Sequence, residues 1–161
     1  RLPLETCETM NGMWGYKITD QNYKSDTTLV HYLVGAAGRN ANLLMNIGPQ
    51  PDGCLPEVAV ERLKKMGEWM KVYGETIYGT RGGFIAPHDW GVTTQKGNRL
   101  FVHILNLQDK SLFLPLGDKK VRSAVDFVSR RAVKTQKCQG GVVICFDNVP
   151  TEIDRVVEIQ L

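Results

Sequence analysis

The run "NANLLMNIGP", residues 40–49, constrains the fold more than any other stretch. It is a short apolar segment closed by Gly48-Pro49, and it reads as a strand buried on both faces, the kind found in parallel sheets. Helical periodicity stands on either side. Before it, "TTLVHYLVGAAGR" places Leu29, Leu33, Ala36 and Ala37 on one face with Val30 beside it. Ser25 or Asp26 is the N-cap, and Gly38 is the expected stop. After it, "QPDG" forms a turn, and Pro56 and Glu57 open a second helix. That helix predicts an apolar stripe of Val60, Leu63, Met66 or Gly67, Met70 and Tyr73, ending near Gly74. The order strand end, loop, helix, strand, loop, helix is that of an α/β barrel or a doubly wound sheet. One or two parallel strands cannot cover themselves, so residues 1–80 predict the tail of a larger domain.

From residue 82 the pattern becomes all β. "WGVTTQ", the turn "KGN" and "RLFVHILNL" predict a hairpin. "SLFLPL", "VRSAVDFV", "AVKTQ", "GVVICFD" and "DRVVEIQL" follow without intervening helices, which predicts a small antiparallel sandwich over residues 81–161. "GTRGGF" at 79–84 is neither a dinucleotide fingerprint nor a phosphate loop. It reads as a hinge between the two parts. The fold class is therefore α/β plus all-β.

The length of 161 residues suits one domain or two small ones, and 42% apolar residues supply a core without disulfide or metal staples. The net charge of +3 is scattered, with doublets at Lys64-Lys65, Lys119-Lys120 and Arg130-Arg131. These read as solvated faces, so nucleic acid is not an expected partner. Apolar runs are too short for membrane insertion, and no signal-peptide pattern opens the chain. Four cysteines at 7, 54, 138 and 145 lack zinc spacing, so no metal or other cofactor is expected. In a hairpin tipped by Gly140-Gly141, Cys138 would face Val143 and Cys145 would face Gln136, which predicts free, partly buried thiols.

His31, His88 and His103 lie in a helix, a loop and a strand, with no metal spacing and no triad to argue from. The densest site-like stretch is "ETCETMNGMWGY", residues 5–16. Glu5 and Glu8 would share a helix face. On an extended strand end they would point to opposite sides. Trp14 and Tyr16 offer a flat apolar surface of the kind sugars stack against. A loop glutamate is ordinarily only solvated and a tryptophan ordinarily core, so the residues alone give no more than a hint of a sugar site.

The motifs "LETCETMNGMWGY", "NYKS" at 22–25, "NLLMNIGPQPDG" at 42–53 and "GEWMKVYGETIYGT" at 67–80 resemble, in order and spacing, the C-terminal part of the α-L-fucosidases of glycoside hydrolase family 29, in their Bacteroidetes-like form. The resemblance implies the C-terminal part of a (β/α)8-like barrel over residues 1–80, followed by a C-terminal β-sandwich over 81–161. Such a barrel typically needs about 250 residues. "NLLMNIGP" would be its final strand. "AAGRNAN" at 36–42 departs from the glycine-rich segment frequent in the family, on the helix-to-strand side that governs stability rather than activity.

The resemblance further implies a retaining exo-α-L-fucosidase acting on terminal α-L-fucose of glycans, with a nucleophile and an acid/base carboxyl about 5–5.5 Å apart. The family's nucleophile aspartate stands on an earlier strand, so this fragment alone is expected to be inactive. In a subset of the family the acid/base glutamate stands nine residues before the aromatic of the W-G-Y triplet, which carries over to Glu5, with Trp14 as the aromatic. Other members carry it on a preceding loop, which would lie off this chain. Trp14 is implied as a wall of the fucose pocket, Glu8 as support, and Asn46 as a brace for the loop. Expected partners are a fucosylated glycan, the rest of the barrel and a possible second copy in a homo-oligomer. Location would be secreted, periplasmic or lysosome-like. The competing reading is a carbohydrate-binding or structural β-sandwich module without catalysis.

Overall fold

The computed structural model describes residues 4–161. Residues 1–3 of the expected first strand end lie outside the described residues. Strand β1 (Glu5–Thr9) and strand β2 (Asn42–Asn46) pair in parallel, with Glu5 opposite Asn42, Cys7 opposite Leu44 and Thr9 opposite Asn46. Helix α1 (Asp26–Gly38) connects them, and helix α2 (Glu57–Tyr73) follows β2. Ser25 is the N-cap of α1: its hydroxyl accepts from the Thr28 N–H at 3.1 Å, and Asp26 adds an acid to the first turn. Helix α1 ends at Gly38, the expected stop, while the left-handed conformation falls to Asn40, with φ 62°. Gly38 is small for another reason: a Cβ there would stand 2.4 Å from Cβ of Val92.

The helices cover only one face of the parallel pair. Met45 and Ile47 pack beneath them against Met10, Leu29, Ala59 and Met66, whereas Leu44 on the opposite face is 46% exposed. The expectation that β2 is buried on both faces is thus corrected to burial on one. The inner stripe of α2 keeps Met66, Met70 and Tyr73 of the expected one but is turned slightly from it. Ala59 and Trp69 are buried, while Leu63 faces outward. Arg62 reaches α1 instead, pairing with Asp26 at 2.9 Å. Trp69 stacks on Tyr73 with ring centroids 5.1 Å apart. A 3₁₀ turn at Gly74–Thr76 ends the helical part.

Eight short strands follow: β3 (Arg81–Gly82), β4 (Gly91–Lys96), β5 (Arg99–Ile104), β6 (Ser111–Leu114), β7 (Ser123–Asp126), β8 (Lys134–Cys138), β9 (Gly141–Cys145) and β10 (Arg155–Gln160). They form a five-stranded antiparallel sheet, β3-β4-β5-β10-β7, and a three-stranded one, β6-β9-β8. Leu100, Val102, Ile104, Val157 and Ile159 of the first meet Leu112, Leu114, Val142 and Ile144 of the second in one apolar core. The far side of the larger sheet meets the helices in a second core of Val30, Val34, Trp69 and Val92. "GTRGGF" is therefore a packed seam rather than a hinge. Its Gly82 lies so close to α1 that a Cβ would be 2.6 Å from the Gly38 carbonyl oxygen. The β8–β9 turn holds Gln139 and Gly140, with Gly140 at φ 78°, which sets Cys138 opposite Gly141 and Cys145 opposite Lys134. The expected register was displaced by two residues. All four thiols are free, and only Cys145 is half-buried.

Candidate functional site

Parallel strands present ligands at their carboxyl ends, where loops leave the sheet toward the following helices. In the β1–β2 pair that end is Thr9 and Asn46. Residues 10–24 leave it as one loop, and several ties hold the loop in place. Asn46 Nδ2 donates to the Trp14 carbonyl at 2.7 Å and to Thr9 Oγ1 at 3.3 Å. Lys24 Nζ donates to the carbonyls of Thr9 (2.6 Å) and Asn11 (3.1 Å) and to Glu8 Oε1 (3.3 Å). Asp20 accepts from the backbone N–H of Gly12 at 2.9 Å and of Asn22 at 3.2 Å. Gly48 fits beneath the loop because a Cβ would sit 2.4 Å from the Tyr16 nitrogen. The loop is thus fixed on its inner side, and it holds Trp14 outward at 56% exposure. The indole is therefore presented to solvent from a braced backbone among the described residues.

The two glutamates separate cleanly. Glu8 turns toward α1 and belongs to the loop clamp. The Thr9 N–H at 2.9 Å, helped by the Lys24 ammonium against the opposing effect of burial, holds its carboxyl below the ordinary value. Such a group stays ionised and serves as an acceptor. Glu5 is exposed at the first residue of β1, opposite Asn42. Four residues of strand, roughly 13 Å at about 3.3 Å each, separate it from the end that carries Trp14. The structure therefore does not bring Glu5 and Trp14 to the same end of the strand pair. Asn46 braces the loop, as expected. Lys24, Asp20 and Thr9 were missed as clamp residues, although "NYKS" and Gly48-Pro49 carried the signal.

The histidines have structural partners. His31 Nε2 lies 2.6 Å from the Ile153 carbonyl, and His88 stacks on Trp90. His103 Nδ1 lies 2.8 Å from Asp154 Oδ2, and its Nε2 lies 3.1 Å from Thr94 Oγ1. The Thr94 hydroxyl donates to the Thr76 carbonyl at 2.6 Å. The order hydroxyl, imidazole, carboxylate resembles a nucleophilic triad, but His103 and Thr94 are fully buried and Asp154 is 1% exposed. No substrate can reach it, so it is an internal strut.

The structure thus sets a braced aromatic loop at the carboxyl end of a parallel strand pair, backed by two antiparallel sheets. The sequence model of the α-L-fucosidase family matches residues 1–75. The plasma α-L-fucosidase of Rattus norvegicus is 37% identical over 112 residues, which is 65% of this chain and 24% of that protein. Among solved structures, α-L-fucosidase isoenzyme 1 from Paenibacillus thiaminolyticus superposes with a TM-score of 0.89 at 30% identity, over 99% of this chain and 40% of that one. The Thermotoga maritima α-fucosidase in complex with fucose gives a TM-score of 0.82 at 27% identity, over 96% of this chain and 39% of that one. This chain is thus similar to part of the α-L-fucosidases, by the family model over residues 1–75 and by structure over nearly its whole length. It spans about a quarter of the length of the curated relative and about two fifths of the solved chains.

Proposed function

We propose that the chain is the C-terminal part of a retaining exo-α-L-fucosidase that removes terminal α-L-fucose from glycans. In this reading residues 1–80 are the last part of a (β/α)8-like barrel and residues 81–161 are its C-terminal β-sandwich. The observation that carries it is the superposition of nearly the whole chain on a fucosidase at 30% identity. The exposed face of β1 and β2, with Glu5, Cys7 and Leu44, supports it, because a barrel interior would cover that face. Trp14 then walls the sugar pocket, packing against the apolar face of the fucose ring. A plasma relative supports a secreted setting, and among the described residues no helix is long and apolar enough to cross a membrane.

Two acid/base assignments compete. The resemblance gives the role to Glu5. Strand polarity gives it to a carboxyl at the carboxyl end, contributed by sequence outside this chain. Polarity is the stronger argument, since an acid about 13 Å down the strand cannot reach a leaving oxygen, which demands contact at about 2.6–3.2 Å. We propose the second assignment and give Glu5 a place in the barrel floor. The full-length enzyme tests both on an aryl α-L-fucoside. Retention shows as the α-anomer released first in proton NMR. Trp14→Ala is expected to lower kcat/KM at least tenfold, and Glu5→Gln to leave it within about threefold. A large loss in Glu5→Gln that azide restores would return the role to Glu5. Turnover by the 161-residue chain alone would overturn the reading of it as an incomplete site.

A further inference from the structure

A second cleft lies far from the Trp14 loop in sequence, at an open edge of the sandwich, and encloses about 680 Å³. Strand β8 is the edge of its sheet, next to β9. Lys137 stands opposite Val142, which in turn stands opposite Leu114. Directly opposed residues share a face, and Val142 and Leu114 belong to the apolar core. Lys137 and, two residues earlier, Thr135 therefore lie on the core side of β8, both still exposed at the open mouth between the sheets. The loop after β6 brings Asp118, Lys119 and Lys120 to the same cleft, and Gln139 closes it from the β8–β9 turn.

None of the three lysines has a carboxylate within 4 Å among the described ion pairs. The nearest recorded partner of Lys119 is the face of the half-exposed Phe84, 5.0 Å from the ring centroid. An inward lysine on an edge strand can serve simply to block strand pairing. That role needs Lys137 alone. It does not call for two further lysines arriving from a separate loop.

We propose that this cleft binds an acidic glycan, its lysines taking a sulfate or carboxylate substituent and Asp118, Thr135 and Gln139 taking neighbouring hydroxyls. Ammonium groups supply unneutralised donors for the anion. Asp118 favours a glycan: its carboxylate accepts hydrogen bonds from sugar hydroxyls, which an acidic glycan carries beside each anionic group, whereas a duplex backbone presents a phosphate at every nucleotide and no free hydroxyl. The site is independent of hydrolysis, so its failure and that of the catalytic reading are separable.

The test is affinity electrophoresis of the 161-residue chain through gels holding heparin, polygalacturonate or neutral dextran, with duplex DNA as competitor. Retardation by heparin, by polygalacturonate or by both is expected, with none by dextran; the two acidic arms tell sulfate from carboxylate. The Lys119→Ala/Lys120→Ala/Lys137→Ala variant is expected to lose at least tenfold in affinity with an unchanged melting curve, and Lys64→Ala/Lys65→Ala to lose none. Asp118→Asn is expected to weaken binding although it makes the cleft more positive. Tighter binding by Asp118→Asn, equal binding of DNA, or an unaffected triple variant would each overturn the proposal.

Discussion

At the scale of single residues, the candidate site depends on groups that never face a ligand. Lys24 closes the Trp14 loop by donating to two backbone carbonyls and one carboxylate. Lys24→Met keeps the stem but leaves those acceptors unpaired, and the expected cost is about 1–3 kcal/mol, measured by urea denaturation. Gly48 is constrained more tightly, because the atoms beneath it are backbone and cannot move aside. Gly48→Ala is expected to cost about 1–3 kcal/mol through overpacking and to lower the melting temperature by several degrees. A melting curve superimposable on the parent would show that the loop does not rest on Gly48. Both residues lie in motifs the sequence displayed, "NYKS" and Gly48-Pro49, but nothing there gave either of them a part in holding the loop. The clamp is made of ordinary residues placed by the chain's return at Lys24.

At the scale of elements, the central strands of the larger sheet are stitched by charge as well as by apolar packing. Glu158 of β10 sits between Arg99 at 2.8 Å and Arg130 at 2.6 Å, and Arg99 also pairs with Glu75 within the 3₁₀ turn. Burial pushes the Glu158 carboxyl up, but the two guanidinium hydrogen bonds together outweigh it and hold it below the ordinary carboxylate value. A carboxyl whose folded pKa is lowered stabilises the fold fully above its unfolded pKa, and that contribution is lost as pH falls through the folded value. Glu158→Gln is therefore expected to be less stable than the parent at pH 7. The gap should narrow below about pH 4, the range of unperturbed glutamate. Denaturation curves at pH 3, 5 and 7 check the sign. A gap independent of pH would exclude the ionised carboxylate as the source.

At the scale of the whole molecule, helices and sheets share a core across residue 80, so the proposed division at 80/81 does not separate two independent packing units. Val92 of β4 packs with Val30, Val34 and Trp69 of the helices. The Thr76–Thr94–His103–Asp154 strut joins the end of α2 to β4, β5 and the segment entering β10. Asp154→Ala leaves His103 buried without its hydrogen-bond partner, and the expected cost is about 1–3 kcal/mol. Tryptophan fluorescence and far-ultraviolet circular dichroism should still report one coincident transition. Two separated transitions would mean that the helical and β parts unfold independently.

The order of elements, the Ser25 cap, the β4–β5 hairpin and the likeness to the α-L-fucosidases were legible in the sequence, because each depends on local spacing or on short contiguous motifs. Several other features were decided only by the tertiary structure. The exposed face of β2 was one, since an apolar run states that a strand can be buried, not which neighbours are present to bury it. The rotation of α2 was another, set by the fit of Ala59 and Trp69 against α1 and β4. Gly38 ends α1 as read, but Gly38 and Gly82 are also where segments far apart in the chain come into close contact, which no local pattern shows. Glu5 and Glu8, three residues apart, looked like two versions of one candidate. The strand fixed their difference: the pleat sends Glu8 toward Lys24, and strand polarity leaves Glu5 at the end away from Trp14. Sequence spacing records what lies near along the chain, whereas a site is made by what the fold brings near in space.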